Sequence, residues 1–355
     1  MVSSQAQYFS EDYANARSRF LKAGTASGAQ LHELLLEEQG PSGEALAIDI
    51  AWLGSSNPAR VVIHSSGLHG VEGFAGAAIQ LALLDQSLSI PKDAACLFVH
   101  ALNPFGMACL RRFNENNVDL NRNFLPSDEN WSGASKAFRL LESFLNPQTP
   151  PQRDFFYLRA AYLIFRYGLR PLKQALAEGQ FEYAQGLFFG GKQLEKGPAL
   201  YQSWLAEYLG NIKRGFAIDV HTGLGKWGQE SLFLESSAGD EAELATQLGR
   251  KVTSDPAQEG VAFHIRGGFA NVFDVLQQQP EVCMITQEFG TYPSLYVLYA
   301  LREENRLWHY GDATVEHPVK VRLKKAFAPK STKWRTHVVS RGVSLAKAAM
   351  RYMFG

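Results

Sequence analysis

The stretch VVIHSSGLHGVEGFAGAAIQLALLDQ, residues 61–86, gives the clearest indication of the fold class. Its start, VVIHSS at 61–66, predicts a buried strand, and the residues from 73 to 86 predict a helix that begins just after a glycine-rich turn. Strands that alternate with helices in this way are typical of α/β proteins, in which helices cover a largely parallel sheet. The stretch therefore predicts one strand-helix unit of such a sheet.

Five other apolar runs predict further strands of the same sheet. They lie at 44–53, 96–101, 216–221, 231–235 and 282–287. Several of them carry no charge, as is usual for strands that are buried on both faces. Residues 240–253 predict another helix, because their acidic start and basic end suit the helix dipole. We expect an α/β fold with a mixed, largely parallel central sheet flanked by helices.

Residues 127–214 interrupt this alternation. They are rich in aromatic residues, Leu, Ala, Gln, Lys and Arg, and they predict two or three helices and no strand. We interpret them as a helical insertion in a single domain that spans residues 1–355, with a C-terminal helix at about 342–353.

The composition narrows the kind of partner. Lys plus Arg and Asp plus Glu both number 35, so the formal net charge is zero, and a nucleic-acid binder would show a basic excess. The longest apolar stretch is shorter than the roughly 20 residues that span a bilayer.

The polar N-terminus resembles neither a signal nor a transit peptide. Three cysteines, an odd number without close pairs, favour a reducing compartment. We expect a cytoplasmic protein that acts on a small molecule or short peptide; the sequence does not indicate an oligomeric state.

Three of the predicted strands end in side chains that bind metals. His69 and Glu72 follow the strand at 61–66, His221 ends the strand at 216–221, and Glu288 follows the apolar part of the strand at 282–287. Each of these residues alone is more often an ordinary turn or core residue. Parallel strands, however, bring their carboxyl ends to one edge of the sheet, where α/β proteins bind ligands. Two histidines and one carboxylate, with a water molecule as fourth ligand, form an established catalytic zinc site.

A fourth cluster, RRFNENNVDLNRNF at 111–124, crowds guanidinium and amide groups into one loop. Such groups suit the recognition of a carboxylate or an oxyanion. Without its neighbours the same loop would be interpreted as a hydrogen-bonded surface loop.

Together these motifs resemble the zinc carboxypeptidase superfamily, which includes metallocarboxypeptidases and the deacylases of the succinylglutamate desuccinylase and aspartoacylase type. The resemblance rests on HGVEG, VDLNRNF, DVHTG and EFGTYP, which occur in the family's order and span about residues 45–295. More narrowly, the set is similar to an uncharacterised bacterial branch of metallopeptidases. The DVHTG form is nearer the deacylases, whereas NRNF is common to the peptidases.

The resemblance implies a role for each matching residue. His69, Glu72 and His221 would bind one Zn²⁺ per chain, Glu288 would act as general base for the zinc-bound water, and Asp219 would orient His221. Among the substrate contacts, Arg112, or Arg111 in its place, would polarise the scissile carbonyl. Asn121 and Arg122 would bind the free carboxylate of the substrate. Tyr292 is a further candidate for a substrate contact, because it lies close to Glu288 in the sequence.

Two features depart from the family's pattern. No tyrosine lies between Tyr208 and Tyr292, where the peptidases carry a tyrosine on a mobile loop. The segment between Glu72 and His221 is long and includes the helical insertion, which we expect to form a wall or lid of the pocket. Side-chain specificity is expected between Val261 and Val275.

The sequence favours a metallocarboxypeptidase that cleaves an amide bond next to a free carboxylate. An N-acyl amino acid deacylase is the alternative within the fold, and a catalytically silent carboxylate-binding protein is the alternative of another class. A nucleotide-binding domain is disfavoured, because GVEGFAG lacks the full dinucleotide fingerprint.

Overall fold

The computed structural model describes residues 5–236, 238–254 and 265–355, and within them the chain forms a seven-stranded sheet. The strands are β1 Gln30–Gln39, β2 Ala45–Gly54, β3 Arg60–Ser66, β4 Ala94–His100, β5 Arg214–Thr222, β6 Glu230–Leu234 and β7 Glu281–Phe289. Their order across the sheet is β1-β2-β4-β3-β5-β7-β6. Parallel pairs join β4, β3, β5 and β7 in the centre, and antiparallel pairs add β2, β1 and β6. The predicted mixed α/β fold is confirmed.

Helices cover both faces of this sheet. They are α1 Tyr13–Ala26, α2 Gly73–Leu84, α3 Pro104–Ala108, α4 Lys136–Leu145, α5 Phe156–Tyr167, α6 Leu169–Glu178, α7 Lys196–Leu209, α8 Glu241–Leu248, α9 Ser294–Tyr310, α10 Pro318–Phe327 and α11 Thr332–Phe354. On one face, α2 and α11 pack against each other and against β3 and β5, and on the other face α7 packs with the 3-10 helix Phe269–Val275. None of the described helices is long and apolar enough to cross a membrane.

All six predicted strands are present within two residues of their predicted ends, and β1 is an additional strand at the sheet edge. The end of α8 was predicted wrongly. The helix stops at Leu248 because Gly249 adopts a left-handed conformation with φ of 64°. Arg250 and Lys251 therefore follow the helix and do not lie in its last turn.

The predicted insertion contains four helices, α4 to α7, where two or three were predicted. The C-terminal helix α11 also begins at Thr332, about ten residues before its predicted start. α7 packs on the sheet, whereas α4, α5 and α6 share an apolar cluster with α9. Buried arginines of α9 also tie the α4–α5 connection in place: Arg302 Nε donates to the carbonyl of Phe144 at 2.6 Å, and Arg306 Nη2 donates to the carbonyl of Pro150 at 2.6 Å. The insertion is thus held against the sheet domain by buried hydrogen bonds as well as by apolar contacts.

A buried ionic network fixes the start of the loop at 111–124. Arg111 Nε donates to Glu304 Oε1 at 2.9 Å, and Lys320 Nζ donates to the same oxygen at 2.6 Å. All three side chains are fully buried, and the Arg111 guanidinium also stacks over the Trp308 ring. Burial opposes ionisation of Glu304, but Arg111 and Lys320 outweigh it and lower the pKa of the carboxyl. The network therefore holds the backbone at Arg111 and, with it, the position of the next residue.

We expect Glu304→Gln to lower the free energy of unfolding by about 3–5 kcal/mol, because it leaves two buried cations without a counter-charge. Lys320→Met should cost less, since the Arg111–Glu304 pair remains balanced. Urea denaturation of both variants measures this difference. An equally small loss in both would mean that the network contributes little to stability.

Candidate metal centre

Three central strands carry the predicted site to one edge of the sheet. β3, β5 and β7 run parallel, and their register places His221 directly beside Glu288. Partners in a parallel pair point to the same face, so both side chains face the turn that follows β3. Their closeness is therefore a consequence of strand pairing.

Glycines allow the turn between β3 and α2. Gly67 has φ of 73°, a conformation that side chains strongly disfavour. At Gly70, a Cβ atom would lie 2.1 Å from the backbone carbon of Gly106, so no larger residue fits there. The turn places His69 just before, and Glu72 at the end of, the 3-10 helix Gly70–Glu72.

His69, Glu72 and His221 form a buried cluster in which three ligand atoms converge. The two Nδ1 atoms lie 3.0 Å apart, His69 Nδ1 lies 3.0 Å from Glu72 Oε1, and His221 Nδ1 lies 3.4 Å from Glu72 Oε2. Ligand atoms about 2.0–2.1 Å from a tetrahedral zinc ion lie roughly 3.3 Å from one another. The spacing of the donors therefore fits a zinc ion.

The outer nitrogens of both imidazoles contact carboxylates. Asp219 Oδ2 lies 2.6 Å from His221 Nε2, and Asp119 Oδ1 lies 3.1 Å from His69 Nε2. With protons on the two Nε2 atoms, which face these carboxylates, the lone pairs of both Nδ1 atoms face one another, a suitable arrangement for a cation. This role was predicted from the sequence for Asp219 but not for Asp119, although Asp119 lies inside the VDLNRNF motif.

Arg112 contacts both carboxylates beside His69. Its Nη1 donates to Glu72 Oε1 and its Nε to Asp119 Oδ2, each at 3.0 Å. Its Nη2 lies 2.7 Å from His69 Nε2. When His69 Nε2 carries a proton, it cannot accept a hydrogen bond from Nη2. Nη2 is then available to an oxygen atom in the adjacent cavity, which Arg112 lines.

The charges of these contacting groups do not balance. Three carboxylates (Glu72, Asp119 and Asp219) contact the two histidines, and two guanidinium groups (Arg112 and Arg122) pair with these carboxylates, which leaves an excess of one negative charge if both rings are neutral. Uncompensated charge is costly in a buried site. A bound cation would offset this negative charge, which agrees with the donor geometry.

Glu288 is buried beside this cluster, and the backbone N–H of Leu224 donates to its Oε1 at 2.9 Å. Burial and the charge of Glu72 raise the pKa of the Glu288 carboxyl to about 8. A carboxyl group with a pKa shifted towards neutrality is suited to accept and return a proton.

Arg122 lies in the same cavity and is buried. Its Nη1 donates to the Asn121 carbonyl at 2.8 Å, whereas its Nε has no hydrogen-bond partner among the described residues. Gly179 of the insertion packs on its side chain: a Cβ atom there would lie 2.8 Å from Arg122 Cδ. Nη1 also lies 4.0 Å from Asp119 Oδ1, and the part of the guanidinium that lines the cavity is suited to bind an anionic group.

The other predicted substrate contacts differ in position. Asn121 lines the cavity, and its Oδ1 accepts from the Phe269 N–H at 3.0 Å. Tyr292 also lines the cavity and packs edge-on against Trp227, with ring centroids 5.0 Å apart. Arg111, the alternative to Arg112, is buried in the network with Glu304 and does not line the cavity.

The cavity has a volume of about 1690 Å³. Its wall also contains Glu235, which the sequence analysis did not single out; the carboxylate is open to the cavity but surrounded by protein, and this burial raises its pKa. Of the predicted specificity segment, residues 261–264 lie outside the described residues, and Arg266 pairs with Glu129 at the cavity wall.

The helices of the insertion also line this cavity, as expected for a wall. Leu141 and Phe144 of α4, Leu163 of α5, and Leu172 and Leu176 of α6 face it. The proposed metal ligands His69, Glu72 and His221 and the helices of the insertion thus border one continuous cavity.

Solved structures similar to this chain include carboxypeptidase A from Helicoverpa armigera, with 13% identity, a TM-score of 0.48, and coverage of 94% of this chain and 73% of the other. Bovine thrombin-activatable fibrinolysis inhibitor gives 15% identity, a TM-score of 0.49, and coverage of 95% and 99%. A murein-tripeptide amidase from Escherichia coli gives 16% identity, a TM-score of 0.41, and coverage of 79% and 93%.

No curated protein matches the chain at the sequence level. A family model does match: the one described as a protein of unknown function, DUF2817, aligns with residues 9–341. Because this match covers most of the chain, the protein belongs to the DUF2817 family.

Proposed function

We propose that the protein is a zinc-dependent hydrolase that cleaves an amide bond next to a free carboxylate. The observation that carries this proposal is the convergence of His69 Nδ1, His221 Nδ1 and a Glu72 oxygen at spacings close to those of zinc ligands. Glu288 on the neighbouring strand and Arg122 in the same cavity supply the two other groups that such a reaction needs.

Each residue has a task that follows from its surroundings. When bound, a zinc ion would activate a water molecule, polarise the substrate carbonyl and lower the pKa of Glu288. Glu288 takes the proton of the attacking water and returns it to the leaving nitrogen. Arg112 Nη2 donates to the oxygen on which negative charge develops. Arg122 holds the free carboxylate and so selects which amide reaches the reacting groups.

A metallocarboxypeptidase and an N-acyl amino acid deacylase would both use this arrangement, because both cleave an amide beside a carboxylate. The substrate would be a short peptide or a small molecule in either case.

The prediction of a cytoplasmic protein is supported by Cys96, Cys109 and Cys283, which are buried and unpaired.

The purified protein should retain close to one zinc ion per chain after incubation with zinc and desalting, and lose activity on chelation. His69→Ala should lose both metal and activity, and Asp119→Asn should bind zinc about 10- to 100-fold more weakly. Elemental analysis and zinc titration measure these effects. His337→Ala, at an exposed position of α11, is the control and should behave like wild type. A wild-type protein that retains no transition metal would refute the proposed centre.

Glu288→Gln should keep its zinc and its fold while turnover falls by about 10²–10⁴-fold, because only the proton acceptor is removed. Zinc content, circular dichroism and steady-state kinetics on N-blocked dipeptides and N-acyl amino acids separate these effects. Loss of zinc in this variant would make Glu288 a ligand, and full activity would place the base elsewhere. Zinc-loaded wild type without turnover on either panel would favour the silent carboxylate-binding protein.

Arg122→Ala should reduce kcat/KM for substrates with a free carboxylate by about 10- to 100-fold, the loss expected for a hydrogen bond to a charged group. Arg122→Lys should restore little, since lysine lacks the planar fork of donors. Amidated substrates should be affected much less. Arg266→Ala is the matched control, because Arg266 also lines the cavity but pairs with Glu129. Equal losses on both substrate forms would exclude carboxylate recognition by Arg122.

A further inference from the structure

The cavity is larger than the proposed chemistry requires. Its volume of about 1690 Å³ exceeds the roughly 300–1,000 Å³ of ordinary small-molecule sites. Helices α4, α5 and α6 of the insertion and α9 supply a large part of its lining. We call this part the apolar chamber, bordered by Phe144, Leu163, Ile164, Leu172, Leu176 and Leu298.

The chamber wall consists almost entirely of hydrocarbon. Every lining side chain from α4, α5 and α6 is Leu, Ile, Phe or Ala, with Lys173 as the exception, and α9 adds leucines, a valine and Ser294 at its first residue. The same cavity is also lined by Arg112, Arg122, Glu288 and the three proposed metal ligands. One cavity therefore combines charged groups with an apolar wall.

The chamber is a maintained space, not a region where packing is merely loose. Leu163, Ile164, Leu172, Leu176 and Leu298 line it and are only partly buried, although apolar surface that stays uncovered forgoes about 25 cal/mol per Å².

The wall cannot easily collapse to cover them. Arg302 and Arg306 of α9 hold the α4–α5 connection through hydrogen bonds to the carbonyls of Phe144 and Pro150. An apolar surface that is held open in this way is characteristic of a ligand site.

The chemistry of the wall distinguishes between two kinds of ligand. A peptide in the chamber would bring N–H and C=O groups that need partners, and leaving them unpaired costs about 1–3 kcal/mol each. Side chains that line the chamber from α4, α5 and α6 offer only Lys173 as a polar partner. An alkyl chain needs no partner, so the chamber suits it better than it suits a peptide.

Building on the proposed function, we infer that the substrate is an N-acyl amino acid with a long aliphatic acyl chain. Its carboxylate lies at Arg122, its amide at the metal cluster, and its alkyl chain in the apolar chamber. Hydrolysis breaks the amide C–N bond, the oxygen of water bonds to the acyl carbon, and the leaving nitrogen takes the proton. The products are a fatty acid and a free amino acid.

A series of N-acylglycines from acetyl to palmitoyl, used below their micelle-forming concentrations, tests this inference. Binding is measured by calorimetry on zinc-loaded Glu288→Gln protein, which should not turn the ligand over, and kcat/KM is measured on wild type. Affinity should rise by up to about fourfold for each added methylene group until the chamber is full. An affinity that does not change with chain length would overturn the inference.

A pair of variants on α5 tests whether the alkyl chain binds in the apolar chamber. Leu163→Trp would fill part of the chamber and should weaken binding of the lauroyl compound at least tenfold while leaving the acetyl compound unchanged. Leu158→Trp lies on the outward face of the same helix, where Leu158 is 69% exposed, and should alter neither ligand. Equal effects of the two substitutions would place the alkyl chain outside the chamber and refute the assignment.

The outcomes also separate this inference from the proposed function. Chain-length-dependent binding that Leu163→Trp abolishes, without turnover of any substrate, would support the chamber and refute the hydrolase. Turnover of blocked dipeptides, with binding that is independent of acyl length, would support the hydrolase and refute the chamber.

Discussion

The parallel hydrogen bonding of β3, β5 and β7 is the constraint on which the candidate centre depends. It brings His221 beside Glu288 and places the turn with His69 and Glu72 at the same sheet edge. A shift of one residue in either pairing would send the side chains to the opposite face of the sheet. The apolar layers formed by α2 and α11 on one face and α7 on the other bury these strands and so maintain the register.

Buried charge is the second organising feature, and it divides into two kinds. Arg111 and Lys320 both pair with the carboxylate of Glu304, and this network serves as an anchor for the loop at 111–124. Around His69 and His221 the carboxylates outnumber the cations. Neighbouring residues of one loop, Arg111 and Arg112, belong to the two different systems. The anchor therefore supports the site without taking part in it.

Most of the sheet could be predicted from the sequence because its strands are continuous apolar runs, which is what burial on both faces requires. β1 escaped prediction because it is an edge strand whose residues alternate between half-buried and exposed positions. The strand-end residues followed from the family motifs. Asp119 was missed because its role depends on a fold that brings the loop at 111–124 beside His69.

The choice between Arg111 and Arg112 could not be made from two adjacent, chemically identical residues. The apolar chamber could not be predicted either. Leucines that line a cavity have the same periodicity as leucines that are packed in a core. The sequence pattern of α5 and α6 therefore does not show whether their leucines border a cavity or fill a core. Only the arrangement of α4, α5 and α6 against α9 separates the two.

The contact between Gly179 and Arg122 has a consequence for how the protein could diversify. The metal cluster is built on strands and on loops outside the insertion, so evolution could vary most of α4, α5 and α6, and with them the ligand, without disturbing the chemistry. Gly179, which directly follows α6, could not vary in this way, because its φ of 79° and the 2.8 Å approach of Arg122 Cδ to any Cβ atom disfavour other residues. Lineages with different insertions would be expected to share a glycine at the point where the variable segment meets the invariant one.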